Sequence, residues 1–266
     1  MTAAALLTVS ALTIRFGGLT AIEDLSLVVR EGEVLALIGP NGAGKTSAFN
    51  AITGYLAPSG GEIVFGGVRL NGLKPHRIAE LGLVRTFQKT SVFSGRSALE
   101  NILIGLHLRA TQTPLAILLG LPAVAREEQQ LEAEAREILA FAGLGARAHD
   151  LAGALPYGEQ RLLEIAVALA AKPKLLLLDE PVSGMNAVET ESFMAKLTEI
   201  RALGITVLLV EHDMKMVMSV SDRIVCLSQG RVIASGTPGE IQRDPEVIRA
   251  YLGESYARGK EAHSRA

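Results

Sequence analysis

The sequence predicts an α/β fold with a helical region inserted into it, and three observations support this prediction. Apolar runs at 34–38, 174–179 and 205–211 are typical of parallel strands buried on both faces. The first run turns through glycines into a helix predicted over residues 46–57, as phosphate-binding segments do. Residues 90–158, which lie between the first and second runs, instead show the spacing of amphipathic helices, and Ser97 and Glu100 form a capping-type pair at the start of one of them.

The composition indicates a globular chain that can bury a sizeable core. Of its 266 residues, 48% are hydrophobic and 20% are charged, which fits one domain or two lobes. The formal net charge of −2 gives no basic excess, so nucleic acid is not an expected partner. The single cysteine, Cys226, excludes an intrachain disulfide and a cysteine metal cluster, and we expect it to be a buried strand residue.

No segment is expected to enter or cross a membrane. The N-terminus has no basic stretch before its apolar residues, so we expect no signal peptide and a cytoplasmic protein. The apolar stretch 114–125 is too short to span a bilayer and is expected to be a core helix or a docking surface. Any work at a membrane would therefore depend on a partner.

The N-terminal residues predict antiparallel strands that lead into the first buried strand. Residues 6–16 and 25–29 alternate apolar and polar side chains on either side of a glycine pair at 17–18, and 62–68 predicts a further strand. Phe16 is either an aromatic that stacks on a bound base or a core or edge-strand phenylalanine. The residues alone leave both readings open.

The segment after the first buried strand has the spacing of a phosphate-binding loop. Gly39, Gly44 and the pair Lys45-Thr46 match G-x-x-x-x-G-K-[ST]. Glycines let backbone N–H groups point at phosphate oxygens, Lys45 is expected to reach the β and γ phosphates, and the Thr46 hydroxyl is expected to bind Mg²⁺. A glycine-rich turn with a solvated lysine would not explain why strand, spacing and hydroxyl occur together. The predicted phosphate-binding residues are Gly39, Pro40, Asn41, Gly42, Ala43, Gly44, Lys45, Thr46 and Ser47.

Polar residues also follow the second and third buried strands. Asp179 and Glu180 end the second strand, where an aspartate can hold the Mg²⁺ shell and a glutamate can polarise the attacking water. Alone, such a pair would be a helix cap or a solvated turn, but the upstream phosphate-binding spacing favours catalysis. His212 ends the third strand, at the sheet edge where ligands of open α/β sheets gather.

Two further segments fit the same chemistry. Gln88 follows an apolar strand, where its amide oxygen would bind Mg²⁺ or hold the attacking water, although most glutamines in such positions only face solvent. Residues 155–160 (LPYGEQ) form a glycine-containing turn before a strongly periodic helix, which makes this turn a second anion site.

These motifs, in this order, resemble those of the ATP-binding subunits of ABC transporters, and the resemblance covers nearly the whole chain. It implies an α/β P-loop NTPase core with an N-terminal antiparallel β subdomain and an inserted α-helical subdomain. It also implies residues 39–46 as Walker A, Gln88 as the Q-loop, 155–160 as the signature, 175–179 as Walker B and Glu180 as the catalytic glutamate.

The resemblance assigns roles to further residues. Residues 183–186 resemble the D-loop, His212 the switch histidine that contacts the γ-phosphate, and Phe16 the aromatic that stacks on adenine. Catalytic roles then fall to Glu180, His212 and Gln88, Mg²⁺ binding falls to Thr46, Gln88 and Asp179, and nucleotide contacts extend to Gln88, His212, Tyr157, Gly158 and Glu159.

The implied organisation is that of a transporter component. The α/β core would occupy 1–89 and 159–253, the helical subdomain 90–158, and a polar tail 254–266. The expected ligands are ATP and Mg²⁺. The expected partners are a second ABC ATPase subunit, identical or a sibling, membrane permease subunits and, indirectly, a substrate-binding protein. The chain would lie at the cytoplasmic face of the inner or plasma membrane.

Several sequence segments, among them RFGGLTAIEDLSL, VRTFQ and EHDMKMVM, resemble those of the branched-chain amino-acid uptake subgroup. Urea and amide importers share these segments, and lipopolysaccharide export subunits are similar at YLGE. The substrate itself is selected by other subunits. A soluble ABC ATPase acting on DNA or ribosomes is the main rival, but such proteins usually carry two cassettes or basic extensions. A regulatory subunit with little hydrolysis is disfavoured by Glu180 and His212.

The chain departs from the L-S-G-G-Q form of the family signature. Pro156 stands at the serine, and Glu159 stands at the glutamine. Proline offers neither a hydroxyl nor an N–H, so one contact to the γ-phosphate of the opposite subunit is lost. We therefore expect the half-site that contains this signature to be weaker than the half-site that contains this chain's own phosphate-binding loop.

Overall fold

The structure is a computed structural model that describes residues 4–86, 92–107 and 122–252. The chain divides into two compact units. The first contains the chain up to Arg85, Lys174–Glu180 and the chain from Leu197 onwards, and the second contains Thr86–Pro173 and Pro181–Lys196. The domain boundaries expected from the resemblance, which end the helical subdomain at 158, stay a prediction.

The strands of the described residues all belong to the first unit and form two sheets. They are β1 (Ala5–Phe16), β2 (Leu19–Arg30), β3 (Val34–Ile38), β4 (Gly60–Phe65), β5 (Val68–Arg69), β6 (Leu83–Arg85), β7 (Leu175–Asp179), β8 (Thr206–Val210), β9 (Arg223–Ser228) and β10 (Arg231–Gly236). The antiparallel sheet has the order β2-β1-β4-β5, which confirms the antiparallel strands predicted for the N-terminus.

The second sheet carries the predicted buried strands side by side. Its order is β10-β9-β3-β8-β7-β6, with parallel pairing from β9 to β6 and an antiparallel edge at β10. Every residue of β3, β7 and β8 is buried, as their continuous apolar runs predict. Because these strands are parallel, their carboxyl ends meet at one edge of the sheet.

The helices of the described residues are α1 (Lys45–Ile52), α2 (Pro75–Glu80), α3 (Ala98–Leu106), α4 (Pro122–Phe141), α5 (Tyr157–Ala170), α6 (Ala187–Ala202), α7 (Met214–Val220), α8 (Pro238–Ile241) and α9 (Pro245–Leu252). The second unit has a helical core in which α3, α4 and α5 bury apolar faces. The Ser97 hydroxyl accepts the Glu100 N–H, and the Glu100 carboxylate accepts the Ser97 N–H, which confirms the predicted capping pair. No helix in the described ranges is long and apolar enough to cross a membrane.

Glycines shorten two elements that the sequence predicts to be longer. The strand predicted at 62–68 is two strands, because Gly66 and Gly67 have positive φ and turn the chain between β4 and β5. The helix expected to run to residue 57 ends at Ile52, ahead of Gly54, whose φ is 75°. Cys226 is buried in β9, as predicted, and burial raises the pKa of its thiol to about 11.

The loop from β3 to α1, residues 39–44, lies against neighbouring backbone. A Cβ added at Gly39 would lie 2.2 Å from the carbonyl oxygen of Leu227, and one added at Gly44 would lie 2.7 Å from that of Ala21. Both glycines also have positive φ, of 150° and 104°. Only glycine satisfies both the conformation and the spacing at these positions.

Gly230, in the turn between β9 and β10, joins this loop to the antiparallel sheet. Its N–H donates to the carbonyl of Ala43 at 3.1 Å, and its own carbonyl accepts the N–H of Glu23 at 2.9 Å. Its φ is 78°, and an added Cβ would lie 2.7 Å from the Ala21 oxygen. The turn therefore holds residues 39–46 in place through contacts between backbone atoms.

We expect Gly230→Ala to lower the free energy of unfolding more than Gly72→Ala does. Gly72 has a φ of 82° and no atom within 4 Å of an added Cβ, so it isolates the cost of the backbone conformation. The additional overlap at Gly230 should cost about 1–3 kcal/mol more. Guanidinium unfolding of both variants measures the difference, and equal losses would contradict the close contact.

Candidate functional site

Lys45 is the first residue of α1 and is buried against the loop that precedes it. Its Nζ donates to the carbonyls of Gly39 at 2.6 Å and Pro40 at 3.0 Å. An ammonium group has three N–H donors, so these two bonds orient the third. Burial lowers the pKa of Lys45, while nearby groups, Glu180 foremost, act in the opposite direction. The lysine is thus a partly desolvated cation, which attracts an anion strongly.

A cavity of about 200 Å³ lies at this loop. Its walls are residues 41–47 together with Ala21, Glu180 and His212. The lining residues include two glycines of the loop, Lys45 and the hydroxyl-bearing Thr46 and Ser47. A cavity with these groups suits a chain of phosphates.

Glu180 and His212 meet at the wall of this cavity. Glu180 directly follows β7 and has a φ of 50°, which is uncommon for a residue other than glycine. Its N–H donates to the Val210 carbonyl at 2.8 Å, which helps to hold this conformation. Its Oε1 lies 2.5 Å from Nε2 of His212, and the backbone N–H of His212 donates to the Glu211 carboxylate at 2.8 Å. A carboxylate and an imidazole are therefore paired beside the phosphate-binding loop.

Asp179, the last residue of β7, pairs with Arg85 at the end of the neighbouring strand β6. The Arg85 Nη2 lies 2.7 Å from the Asp179 Oδ2, and both side chains are buried. Arg85 also donates to Asn50 at 2.7 Å, and its guanidinium lies 5.6 Å from the ring centre of Phe49. Arg85 thereby fixes the Asp179 carboxylate at the carboxyl edge of the sheet.

Sequence reasoning missed Arg85 and two backbone neighbours of the cavity. The available signal for Arg85 was a charged residue at the end of an apolar strand, where burial requires a partner. Ala21 and Gly230 carried no signal, because their contribution is made by backbone atoms that tertiary packing brings to the loop.

Of the remaining predicted site residues, one ends a strand of the first unit, one is outside the described residues, and three open a helix of the second unit. Phe16 ends β1 with 48% of its surface exposed, so it is not a core residue, and it is not among the residues that line the cavity. Gln88 lies outside the described residues. Tyr157, Gly158 and Glu159 open α5 in the second unit, with Pro156 as the residue that precedes the helix.

The residues at the cavity fit a bound Mg²⁺ that is completed by its nucleotide. The described residues include no group of three or more His, Cys, Asp or Glu side chains that could hold a metal by themselves. Mg²⁺ in phosphate sites takes only one or two protein oxygens and completes its shell with phosphate oxygens and water. Thr46, in the cavity wall, carries an oxygen ligand of this kind. Asp179, next to the cavity-lining Glu180, is the candidate for a second, although its carboxylate pairs with Arg85 and it is not among the residues that line the cavity.

Comparisons with known proteins agree with this geometry. The family model for ABC transporters matches residues 22–183, and a model for branched-chain amino acid ATP-binding cassette transporters matches residues 231–257. The chain is 46% identical to the high-affinity branched-chain amino acid transport ATP-binding protein BraF of Pseudomonas aeruginosa, over 94% of this chain and 98% of BraF. It is 43% identical to the corresponding protein LivG of Escherichia coli, with the same coverage.

A solved structure gives the same assignment. The ADP conformation of an ATP-binding cassette of an ABC transporter superposes with a TM-score of 0.82 and 31% identity, covering 94% of this chain and all of the other. These matches confirm the P-loop ABC ATPase fold and an ATPase coupled to transport, and they do not favour the urea, amide, lipopolysaccharide or soluble alternatives. The chain belongs to the ABC transporter family, as an ATP-hydrolysing, ATP-binding subunit.

Proposed function

We propose that this chain hydrolyses ATP to drive the import of branched-chain amino acids. The observation that carries the substrate class is the match of residues 231–257 to the branched-chain amino acid cassette model. The relatives BraF and LivG, which are 46% and 43% identical, are named for transport of the same substrates. The chain would work at the cytoplasmic face of the membrane, bound to permease subunits. A substrate-binding protein would deliver the substrate to these permease subunits.

The substrate is tested by purifying the tagged chain from membranes together with its partners. The proposal expects hydrophobic permease subunits to co-purify, and expects the complex in vesicles to take up labelled leucine, isoleucine or valine when ATP and the binding protein are supplied. Urea and short amides serve as control substrates. Uptake of those compounds alone, or co-purification with ribosomes or DNA in place of permeases, would contradict the proposal.

The arrangement at the cavity supports a distinct role for each of these residues in ATP hydrolysis. Lys45, oriented by the loop carbonyls, would bind the β and γ phosphates, while Thr46, Asp179 and Gln88 would hold the Mg²⁺ that neutralises phosphate charge. Glu180 would take a proton from the attacking water, with His212 at 2.5 Å placed to sense the γ-phosphate. Phe16, exposed at the end of β1, would stack on adenine.

The working unit would be a head-to-tail dimer, made with a second copy or with a sibling ATPase. In such a dimer the signature of one subunit, including Tyr157, Gly158 and Glu159, closes over the phosphate-binding loop of the other. Two ATP molecules would bind the closed state better than the open state, and this difference in affinity would drive closure. Hydrolysis and release of phosphate would reopen the dimer and reset the permease.

We expect Glu180→Gln to keep ATP binding and to lower turnover of the assembled transporter by roughly a hundred- to ten-thousand-fold, the range for loss of a general base. Lys45→Ala should instead abolish tight nucleotide binding, because it removes the cation from the loop. Binding of a fluorescent ATP analogue and phosphate release measure the two effects. The exposed Glu31→Gln is the matched control, and wild-type turnover in Glu180→Gln would exclude Glu180 as the base.

Pro156→Ser should raise the ATP turnover of the assembled transporter by about two- to tenfold, because it restores one hydrogen bond to the opposite γ-phosphate. Pro156 is the residue before α5 and has a φ of −52°, a conformation that serine also adopts. Pro122→Ser, at the exposed start of α4, makes the same chemical change away from the signature. An unchanged or lower rate in Pro156→Ser would show that the half-site is not limited by the missing hydroxyl.

A further inference from the structure

Tyr157 stands where the L-S-G-G-Q signature has its first glycine, and the structure uses its side chain. The Tyr157 hydroxyl donates to the carbonyl of Ser183 at 2.9 Å. Ser183 begins the four residues that resemble the D-loop. Both residues belong to the second unit, so this bond joins two segments of one compact body. A glycine at 157 would leave no side chain to make this contact.

A buried ion pair fixes the direction of this hydrogen bond. Arg161, one turn along α5, donates from Nε to the Tyr157 hydroxyl oxygen at 3.1 Å, and its guanidinium carbon lies 5.4 Å from the ring centre. Its Nη1 donates to Glu164 at 3.0 Å. Arg161 and Glu164 are only 3% and 5% exposed. Because Arg161 occupies the oxygen as a donor, the phenol proton is directed to the Ser183 carbonyl.

The segment that receives this bond is held to the start of α5 at a second point. The Asn186 N–H donates to the Glu189 carboxylate at 2.9 Å, and the Asn186 Oδ1 accepts the N–H of Glu189 at 3.0 Å. That carboxylate lies against Gly158, where an added Cβ would be 2.8 Å from Oε1. Gly184 packs on the Tyr157 ring, because a Cβ added at Gly184 would lie 3.3 Å from a ring carbon. Residues 183–189 and the signature are therefore clamped together.

This clamp is close along the chain to the proposed general base. Only Pro181 and Val182 separate Ser183 from Glu180. On its other side, Glu180 is held by the Val210 carbonyl and by His212. A displacement of the signature would therefore reach the Glu180 backbone through a link of two residues, one of them a proline with a fixed φ.

We infer that Tyr157, oriented by Arg161 and Glu164, is a positioning residue that couples the signature of this chain to its own Glu180. This inference rests on the proposed function, because the signature acts on the ATP of the opposite subunit. Engagement of that ATP moves the signature, the clamp carries residues 183–186 with it, and Glu180 is brought to its working position. The two ATP sites of the dimer thereby communicate through the hydroxyl of Tyr157.

The test is Tyr157→Phe in the assembled transporter, since it removes one hydroxyl and keeps the ring. The steady-state ATPase rate is measured against ATP concentration, and ATP affinity of the isolated chain is measured in parallel. Tyr55→Phe makes the same change at a residue that is 57% exposed and outside the clamp. Thermal unfolding of each variant reports whether the fold is kept.

Tyr157→Phe is expected to lower kcat roughly two- to tenfold, the range for one hydrogen bond. The Hill coefficient for ATP should fall from about 2, the number of sites, towards 1. Affinity of the isolated chain should not change, because Tyr157 does not line the phosphate cavity. The Hill coefficient does not depend on the fraction of folded protein, so it separates coupling from a loss of stability.

Three outcomes would overturn the inference. They are a variant with the wild-type Hill coefficient, whatever its kcat, a variant indistinguishable from Tyr55→Phe, and a wild-type Hill coefficient near 1. The proposed function fails differently, since then the wild-type assembly itself would show no ATP-driven amino-acid uptake. If the wild type takes up amino acids with ATP and Tyr157→Phe keeps the wild-type Hill coefficient, the inference fails while the proposed function stands.

Discussion

The loop from β3 to α1 lies so close to neighbouring backbone that no side chain fits between them, and the rest of the site depends on this contact. Carbonyl oxygens of Leu227 and Ala21 occupy the space where Cβ atoms of Gly39 and Gly44 would lie. Residues of this loop and of the first turn of α1, which begins at Lys45, line the cavity. The carbonyls of the same loop then orient the Lys45 ammonium.

The elements of the site that are local in sequence could be predicted from it. The apolar strand β3, the glycines of the loop and the start of α1 at Lys45 follow one another, so spacing alone identifies them. The carboxyl ends of β7 and β8 could also be placed, because parallel strands end at a common edge. Their two polar side chains, Glu180 and His212, indeed meet at the cavity.

The parts that could not be predicted depend on tertiary contacts. The Arg85–Asp179 pair joins residues 94 positions apart, and nothing local to either side chain names the other. The support from Gly230 is made by backbone atoms, which carry no residue-type signal. Tyr157 was predicted to contact a nucleotide, which stays a prediction, but nothing in its motif indicates that its hydroxyl bonds to the Ser183 carbonyl. Spacing identifies which residues share a motif, but it does not identify what each side chain contacts.

This loop is expected to bind the ATP phosphates with a lysine that its own carbonyls have already oriented. The most direct measurement is an experimental structure of the assembled Glu180→Gln protein with ATP and Mg²⁺. In that structure we expect the Lys45 Nζ to keep its bonds to the Gly39 and Pro40 carbonyls and to give its third N–H to the β or γ phosphate at about 3 Å. A triphosphate bound away from residues 39–46, or a Lys45 ammonium that turns away from the phosphates, would contradict it.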